Sequence, residues 1–289
     1  MRRLIVTADD FGRDVAINEA VEAASRDGIL SCASLMVAAP AAADAVARAR
    51  RMPGLRVGLH LVLTNGRPVL PLAEVGGLIG ADGCFDDNQV RAGLRYFFAP
   101  GVRRLLAAEI RAQFEAFRAT GLALDHVNAH QHLHLHPVVA RLIVEIGRSY
   151  GLSAVRLPAE PAAVLRRAFP EEPHRAPIYR PVVAALRRRL LGAGLAMNDH
   201  LFGIAWSGAM VEERLLGLLP HLPPGVSELY CHPATRQTPA LAAAMPGYRN
   251  TEELAALLSP PVRQRIAELG ISPIGYADLE TSPTRHGRA

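Results

Sequence analysis

Short apolar runs separated by amphipathic stretches set the rhythm of this chain. Residues 4–8 form an apolar run rich in β-branched side chains, which predicts a strand buried on both faces, as in a parallel sheet. Asp14 then caps a helix in which Val15, Ala16, Ala20, Ala23 and Ala24 recur at helical spacing up to Gly28. A strand over 30–37, a helix from Pro40 to residue 52 stopped by Pro53-Gly54, and a strand over 55–63 follow. Residues 64–84 are rich in Gly and Pro and predict a long loop of the kind that lines sites. Helices are predicted from Asp86 or Asp87 to Phe97 and over 102–120, the second with Leu105, Leu106, Ile110, Phe114 and Phe117 on its apolar face. A short strand carrying Leu122, Leu124 and Val127 hands over at Pro137 to a helix over 138–150, which Gly151 ends. Further strands are predicted over 154–158, 227–231 and 271–276. Further helices are predicted over 210–219 and from Thr251 and Pro261 onward, with Gly270 ending the last. No pattern assigns residues 161–202.

Alternating strands and helices argue for parallel strands joined by right-handed crossovers, hence an α/β barrel. At 289 residues, half of them apolar, the chain is long enough for one large core, and a single domain is expected over 1–280, with 281–289 a disordered tail. The start is basic then apolar, but Asp9 and Asp10 interrupt it too early for a signal peptide, and no apolar run approaches the ~18 residues needed to span a bilayer. The net charge of +5 comes wholly from arginine, since no lysine is present; basic runs are not interleaved with aromatics, so nucleic acid is not an expected partner. Cys32, Cys84 and Cys231 make no Cys-x-x-Cys and no disulfide framework, which fits a reducing cytoplasm.

The chemistry concentrates in one stretch. His126, His130, His132, His134 and His136 are five of the chain's eleven histidines. The last four alternate at a spacing of two, so an extended backbone would turn all four imidazoles to one side, and metal binding is the first expectation. Asp9, Asp10, His60, His130, Arg156 and His232 all fall at or near the C-terminal ends of separate predicted strands, which converge on one face of an α/β barrel. Asp10, His60 and His130 would supply one carboxylate and two imidazoles, leaving positions open for water and substrate. Asp9, next to a ligand, could reach a metal-bound water without binding the metal.

These pieces resemble the YdjC-like carbohydrate deacetylases, which include the chitooligosaccharide deacetylases. The resemblance rests on Thr7-Ala8-Asp9-Asp10-Phe11-Gly12, Gly58-Leu59-His60-Leu61 with Thr64 following, the run from Asp125 to His134, and Cys231-His232-Pro233-Ala234, in register over most of the chain. Within the family the chain resembles the hopanoid-biosynthesis-associated deacetylases, through overall likeness and no single motif. The resemblance implies an irregular (β/α) barrel of the glycoside hydrolase/deacetylase type. It implies one divalent cation, Mg2+ or Zn2+, on Asp10, His60 and His130, with Asp9 as general base. His132 and His134 then support the ligand or face the substrate. Asn128-Ala129 stands where members of the family often have Asp-Ser, which leaves the surroundings of His130 open.

Amide hydrolysis needs a strong nucleophile, stabilisation of the oxyanion and a proton for the leaving amine; His232 could supply that proton. Arg156 either holds Asp9 ionised or makes an ordinary strand-end salt bridge. His200, beside Asp199, either contacts sugar hydroxyls or is incidental. The basic, apolar segment 179–195 is either a solvated surface helix or a peripheral contact with the inner membrane face, as a lipid-linked amino sugar would require. A homodimer is a further expectation. The competing readings are a non-catalytic sugar- or lipid-binding barrel and a non-haem iron oxygenase; against the latter, neither His-x-Asp nor His-x-Glu occurs in the chain.

Overall fold

A computed structural model describes residues 1–174 and 178–279, so the tail expected at 281–289 lies outside the described residues. Strand β1 (Arg2–Phe11) is central, and from Leu4 onward every residue is buried, as the unbroken apolar run requires. On one side of it β2 (Cys32–Leu35), β3 (Arg56–Leu61) and β4 (Val127–Ala129) follow in order, all parallel. On the other side lie β6 (Gly225–Cys231) and, beyond it, β5 (His200–Phe202), also parallel. β7 (Ser272–Pro273) adds to β1 at Arg3 and Leu4, below the point where β2 begins to pair at Thr7. It is much shorter than the strand expected over 271–276, because Pro273 has no N–H for the ladder and Tyr276–Asp278 turn into a 3-10 helix.

Residues 154–159 join the two outer strands and close the ring. Val127 N–H donates to Ala154 O (3.0 Å) and Arg156 N–H to Val127 O (3.1 Å); Val155 N–H donates to Ala196 O (3.0 Å) and Leu201 N–H to Ala159 O (3.1 Å). Only isolated parallel bridges form there, and Pro158 removes a donor from the segment. The result is the irregular (β/α) barrel, with helices such as Val15–Asp27, Pro100–Ala119 and Pro137–Gly147 packed outside.

The histidine run does not continue β4 as an extended strand. β4 stops at Ala129, and His130–Leu135 wind into a 3-10 turn in which Gln131 and His132 have φ of 53° and 56°. The four imidazoles therefore point in different directions. Within the stretch the pattern left unassigned stand the helices Ala162–Ala168 and Arg180–Gly192, then β5.

Candidate active site

The C-terminal ends of β1, β3, β4 and β6 bring the sequence-selected residues together. A β-bulge displaces the register of β1 between Ala8 and Phe11, and Asp10 within it has φ of 61°. In a regular strand Asp9 and Asp10 would point to opposite faces. The bulge, costing of order 1–3 kcal/mol in backbone strain at a non-glycine residue, lets both carboxylates serve one site. Gly12, at φ 95°, completes the turn; a Cβ there would press on Ala42 and Leu35 at 3.2 Å.

Asp10 Oδ1 lies 3.2 Å from His60 Nε2 and 3.0 Å from His130 Nδ1. One ligand atom from each of the three residues falls within 4.8 Å of the others, and all three side chains are buried. Asp10 Oδ1 and His60 Nε2 have no hydrogen-bond partner among the described residues, an expensive condition for buried polar atoms that a cation between them relieves. The carboxylate and two imidazoles thus fit a divalent metal. Burial opposes ionisation of Asp10, but His130, His60 and Arg13 more than offset it and hold its pKa well below the carboxylate range.

Asp9 occupies a different environment. Arg156, fully buried, donates to Asp9 Oδ2 at 2.5 Å and to Oδ1 at 3.0 Å, while Asn128 Nδ2 donates to Oδ1 at 3.1 Å. Burial would raise the Asp9 pKa, yet the Arg156 charge above all, then His60, depress it far below its ordinary value. Arg156 is itself held from behind by Glu228, whose Oε1 lies 2.7 Å from Nη2, and it stacks over the Tyr230 ring at 5.0 Å. Thr7 and Tyr276 donate to Glu228 at 2.6 and 2.5 Å, so this buried carboxylate is fully engaged.

His232 follows the end of β6, with its ring against Tyr230 and Tyr248. Its backbone is clamped: the N–H donates to Glu253 (2.6 Å), and the carbonyl accepts from Asn250 (2.6 Å). Burial pushes its pKa down, against the pull of Asp10 and Asp9, and its Nδ1 has no partner. Arg13 connects the cluster to a cavity of about 700 Å³, with Nη1 3.2 Å from Asp10 Oδ2 and 3.3 Å from His130 Nε2. Asn65, Arg67 and Phe85 line the same cavity.

A family model described as YdjC-like protein matches residues 3–268. The chain belongs to the YdjC-like family. It is 30% identical over 280 residues to a carbohydrate deacetylase of Geobacillus stearothermophilus, covering 96% of this chain and 98% of that protein. It is 32% identical to a carbohydrate deacetylase of Mus musculus, covering 99% and 97%. A solved structure from Enterococcus faecalis V583, 24% identical, superposes with a TM-score of 0.74 over 95% of this chain and 97% of that one, and so shares the fold.

In this YdjC-like chain, Asp9, Asp10, His60, His130, Arg156 and His232 converge as their strand-end positions led one to expect. His132 Nε2 lies 3.3 Å from the Tyr230 hydroxyl, and burial with the nearby Arg156 charge pushes its pKa down to about 3. His134 is completely buried and its Nδ1 accepts from Ala129 N–H (3.2 Å), which supports the turn. His200 stands apart. It begins β5 in register with Ser227, four residues before the Cys231 end of β6, which places it ~13 Å below the site at ~3.3 Å per residue. Its neighbours in charge are Asp199 and Arg187.

Glu228, Arg13 and Glu253 escaped the sequence reading. Glu228 could have been noticed as a lone acid inside an apolar strand, which demands a buried cation. Arg13 and Glu253 carry no comparable signal, since an arginine after a turn and an acid in the first turn of a helix are ordinary surface features.

Proposed function

We propose that the chain is a metal-dependent carbohydrate deacetylase that removes the acetyl group from an N-acetylated amino sugar. The observation that carries this reading is the pairing of two unlike carboxylates on adjacent residues. Asp10 faces two imidazoles and has an unpartnered oxygen, whereas Asp9 is locked ionised by Arg156. The YdjC-like relatives named carbohydrate deacetylases support it.

Asp10, His60 and His130 would hold the cation, Zn2+ or Mg2+; bound there, it supplies a water of lowered pKa and a polarised amide carbonyl. Asp9 accepts the proton of the attacking water. The Arg156 clamp makes Asp9 a weak base but keeps it in the accepting form throughout the working range and fixed in direction. His232 donates a proton to the departing amine, and its lowered pKa makes the protonated ring a willing donor. Glu253 and Asn250 fix where that ring stands.

The acceptor of the sugar we take to be a lipid, a hopanoid polyol, met at the cytoplasmic face of the membrane. Two exposed features support a membrane approach. Helix Arg180–Gly192 leaves Val182 and Leu191 exposed among Arg180, Arg188 and Arg189. Helix Gln89–Phe98, whose Arg91 and Arg95 line the cavity, exposes Val90, Leu94, Phe97 and Phe98. Both helices touch the His130–His136 turn. No helix among the described residues is long and apolar enough to cross a membrane. The test is acetate release from an N-acetylglucosaminyl hopanoid, with chitobiose as the soluble comparison. Asp9→Asn and His130→Ala should each abolish it in folded protein; full activity in either would refute the mechanism. Liposome pelleting unchanged by replacing Arg187, Arg188 and Arg189 with Glu would remove the role of that helix at the membrane.

A further inference from the structure

We propose that Asp125, His126 and Ser34 are positioning residues. Through Asn128, they set which nitrogen of His60 carries its proton and which way Asp9 points. Five contacts link them inside the barrel. Asp125 Oδ2 lies 2.9 Å from His126 Nδ1, and His126 Nε2 lies 3.0 Å from Ser34 Oγ. Ser34 Oγ lies 3.0 Å from Asn128 Nδ2; the same Nδ2 is 3.1 Å from Asp9 Oδ1, and Asn128 Oδ1 is 2.7 Å from His60 Nδ1. Ser34, Asn128 and His126 are completely buried, and Asp125 and His60 nearly so. Water therefore does not compete for these groups.

The direction of every hydrogen bond follows from the two ends. Both oxygens of Asp9 already accept from Arg156, so the Asn128 atom facing Oδ1 is the NH2 group and the atom facing His60 is the carbonyl oxygen. A carbonyl oxygen only accepts, so His60 must carry its proton on Nδ1. The second N–H of Asn128 donates to Ser34 Oγ, whose own hydrogen then goes to His126 Nε2. At the far end Asp125 accepts from His126 Nδ1–H; its pKa, which burial would raise, is held down chiefly by His126. From His60 to Asp125 the protons thus all point one way, and Nε2, 3.2 Å from Asp10 Oδ1, is left as the nitrogen of His60 that can offer a lone pair to a metal.

The far end is anchored as well. Asp125 Oδ1 accepts from Ala277 N–H at 2.9 Å, and the His126 ring stacks on Tyr276 at 4.6 Å. Gly58 gives the ring its room, since a Cβ there would lie 2.5 Å from it. Cys32, Asp125 and His126 are close enough to be read as a second metal set. Both His126 nitrogens and both Asp125 oxygens already have protein partners, however, and Cys32 Sγ, 3.7 Å from Asp125, has its pKa raised well above the ordinary thiol value by burial. This cluster is the anchor of the chain of hydrogen bonds.

The proposal rests on the metal reading for its purpose but is testable without substrate or turnover. Long-range 1H–15N spectra of the zinc-loaded protein report which ring nitrogens are protonated. Both His60 and His126 should carry a proton on Nδ1; an Nε2-only tautomer, or a mixture, at either ring overturns the assignment. Zinc affinity, read by competition with a chromophoric chelator, should fall roughly 10- to 100-fold in Ser34→Ala and His126→Phe, as for other groups that orient ligands. Ser34→Thr, which keeps the hydroxyl, should restore most of it. Unchanged zinc affinity in folded Ser34→Ala would also overturn the proposal, while absence of deacetylation alone would touch only the functional reading. Where activity is measurable, kcat should fall with KM nearly unchanged, because none of the three residues lines the cavity.

Discussion

Two clusters of acid and histidine lie inside the same barrel, within hydrogen-bonding reach of one another through Asn128, and they have opposite characters. Asp10, His60 and His130 meet at the C-terminal ends of three strands, and there Asp10 Oδ1 and His60 Nε2 find no partner among the described residues. Cys32, Asp125 and His126 meet deeper down, and there the carboxylate and both ring nitrogens are satisfied. Proximity of ligand types is common to both and decides nothing. What separates a site from a scaffold is whether the polar atoms are already spoken for, since a buried donor or acceptor left unmade is costly and calls for an outside partner.

The sharpest way to break this comparison is to exchange the fates of the clusters. Asp9→Asn should lower acetate release by roughly a thousandfold or more, the scale of a lost general base compounded by a misdirected Arg156, with the metal retained. Glu228→Ala, which leaves Arg156 with half its counter-charge in a dry interior, should destabilise the fold by about 3–5 kcal/mol in denaturant titrations. Cys32→Ala, by contrast, removes one buried sulfur from the closed cluster. It should cost only about 1 kcal/mol and leave metal content and acetate release within about twofold. A pH-dependent effect concerns Glu253, whose carboxyl burial pushes up from 4.5 to about 7 against its bonds from the Met210 and His232 amides. The folded protein holds this proton more tightly than the unfolded chain, so the stability it confers is complete below 4.5 and is lost as pH rises through about 7. The Tm of the protein should therefore fall relative to that of Glu253→Gln between about pH 5 and about pH 8; a constant gap would remove the assignment.

Most of the barrel was legible because buried parallel strands need nearly continuous apolar runs, and β1, β2, β3 and β6 have them apart from a few polar residues. The helix before Gly151 was legible from Pro137 and the left-handed glycine that ends it. The closing segment 154–159 read as a strand but pairs only through isolated bridges, an outcome set by tertiary fit to β4 and β5. The site residues showed themselves as charged or imidazole groups at apolar-run ends. The histidine alternation misled, because Gln131 and His132 adopt left-handed backbone that no spacing rule reveals. The order of polar contacts was invisible for a different reason. Whether His126 or His60 has a free nitrogen depends on Ser34, Asn128 and Asp125, which come together only in three dimensions.

Metal content measured on the folded chain and two variants tests the central contrast most directly. One divalent ion per chain, lost in His60→Ala and retained in Cys32→Ala, is the result expected. Retention in His60→Ala together with loss in Cys32→Ala would place the ion in the closed cluster and contradict the account.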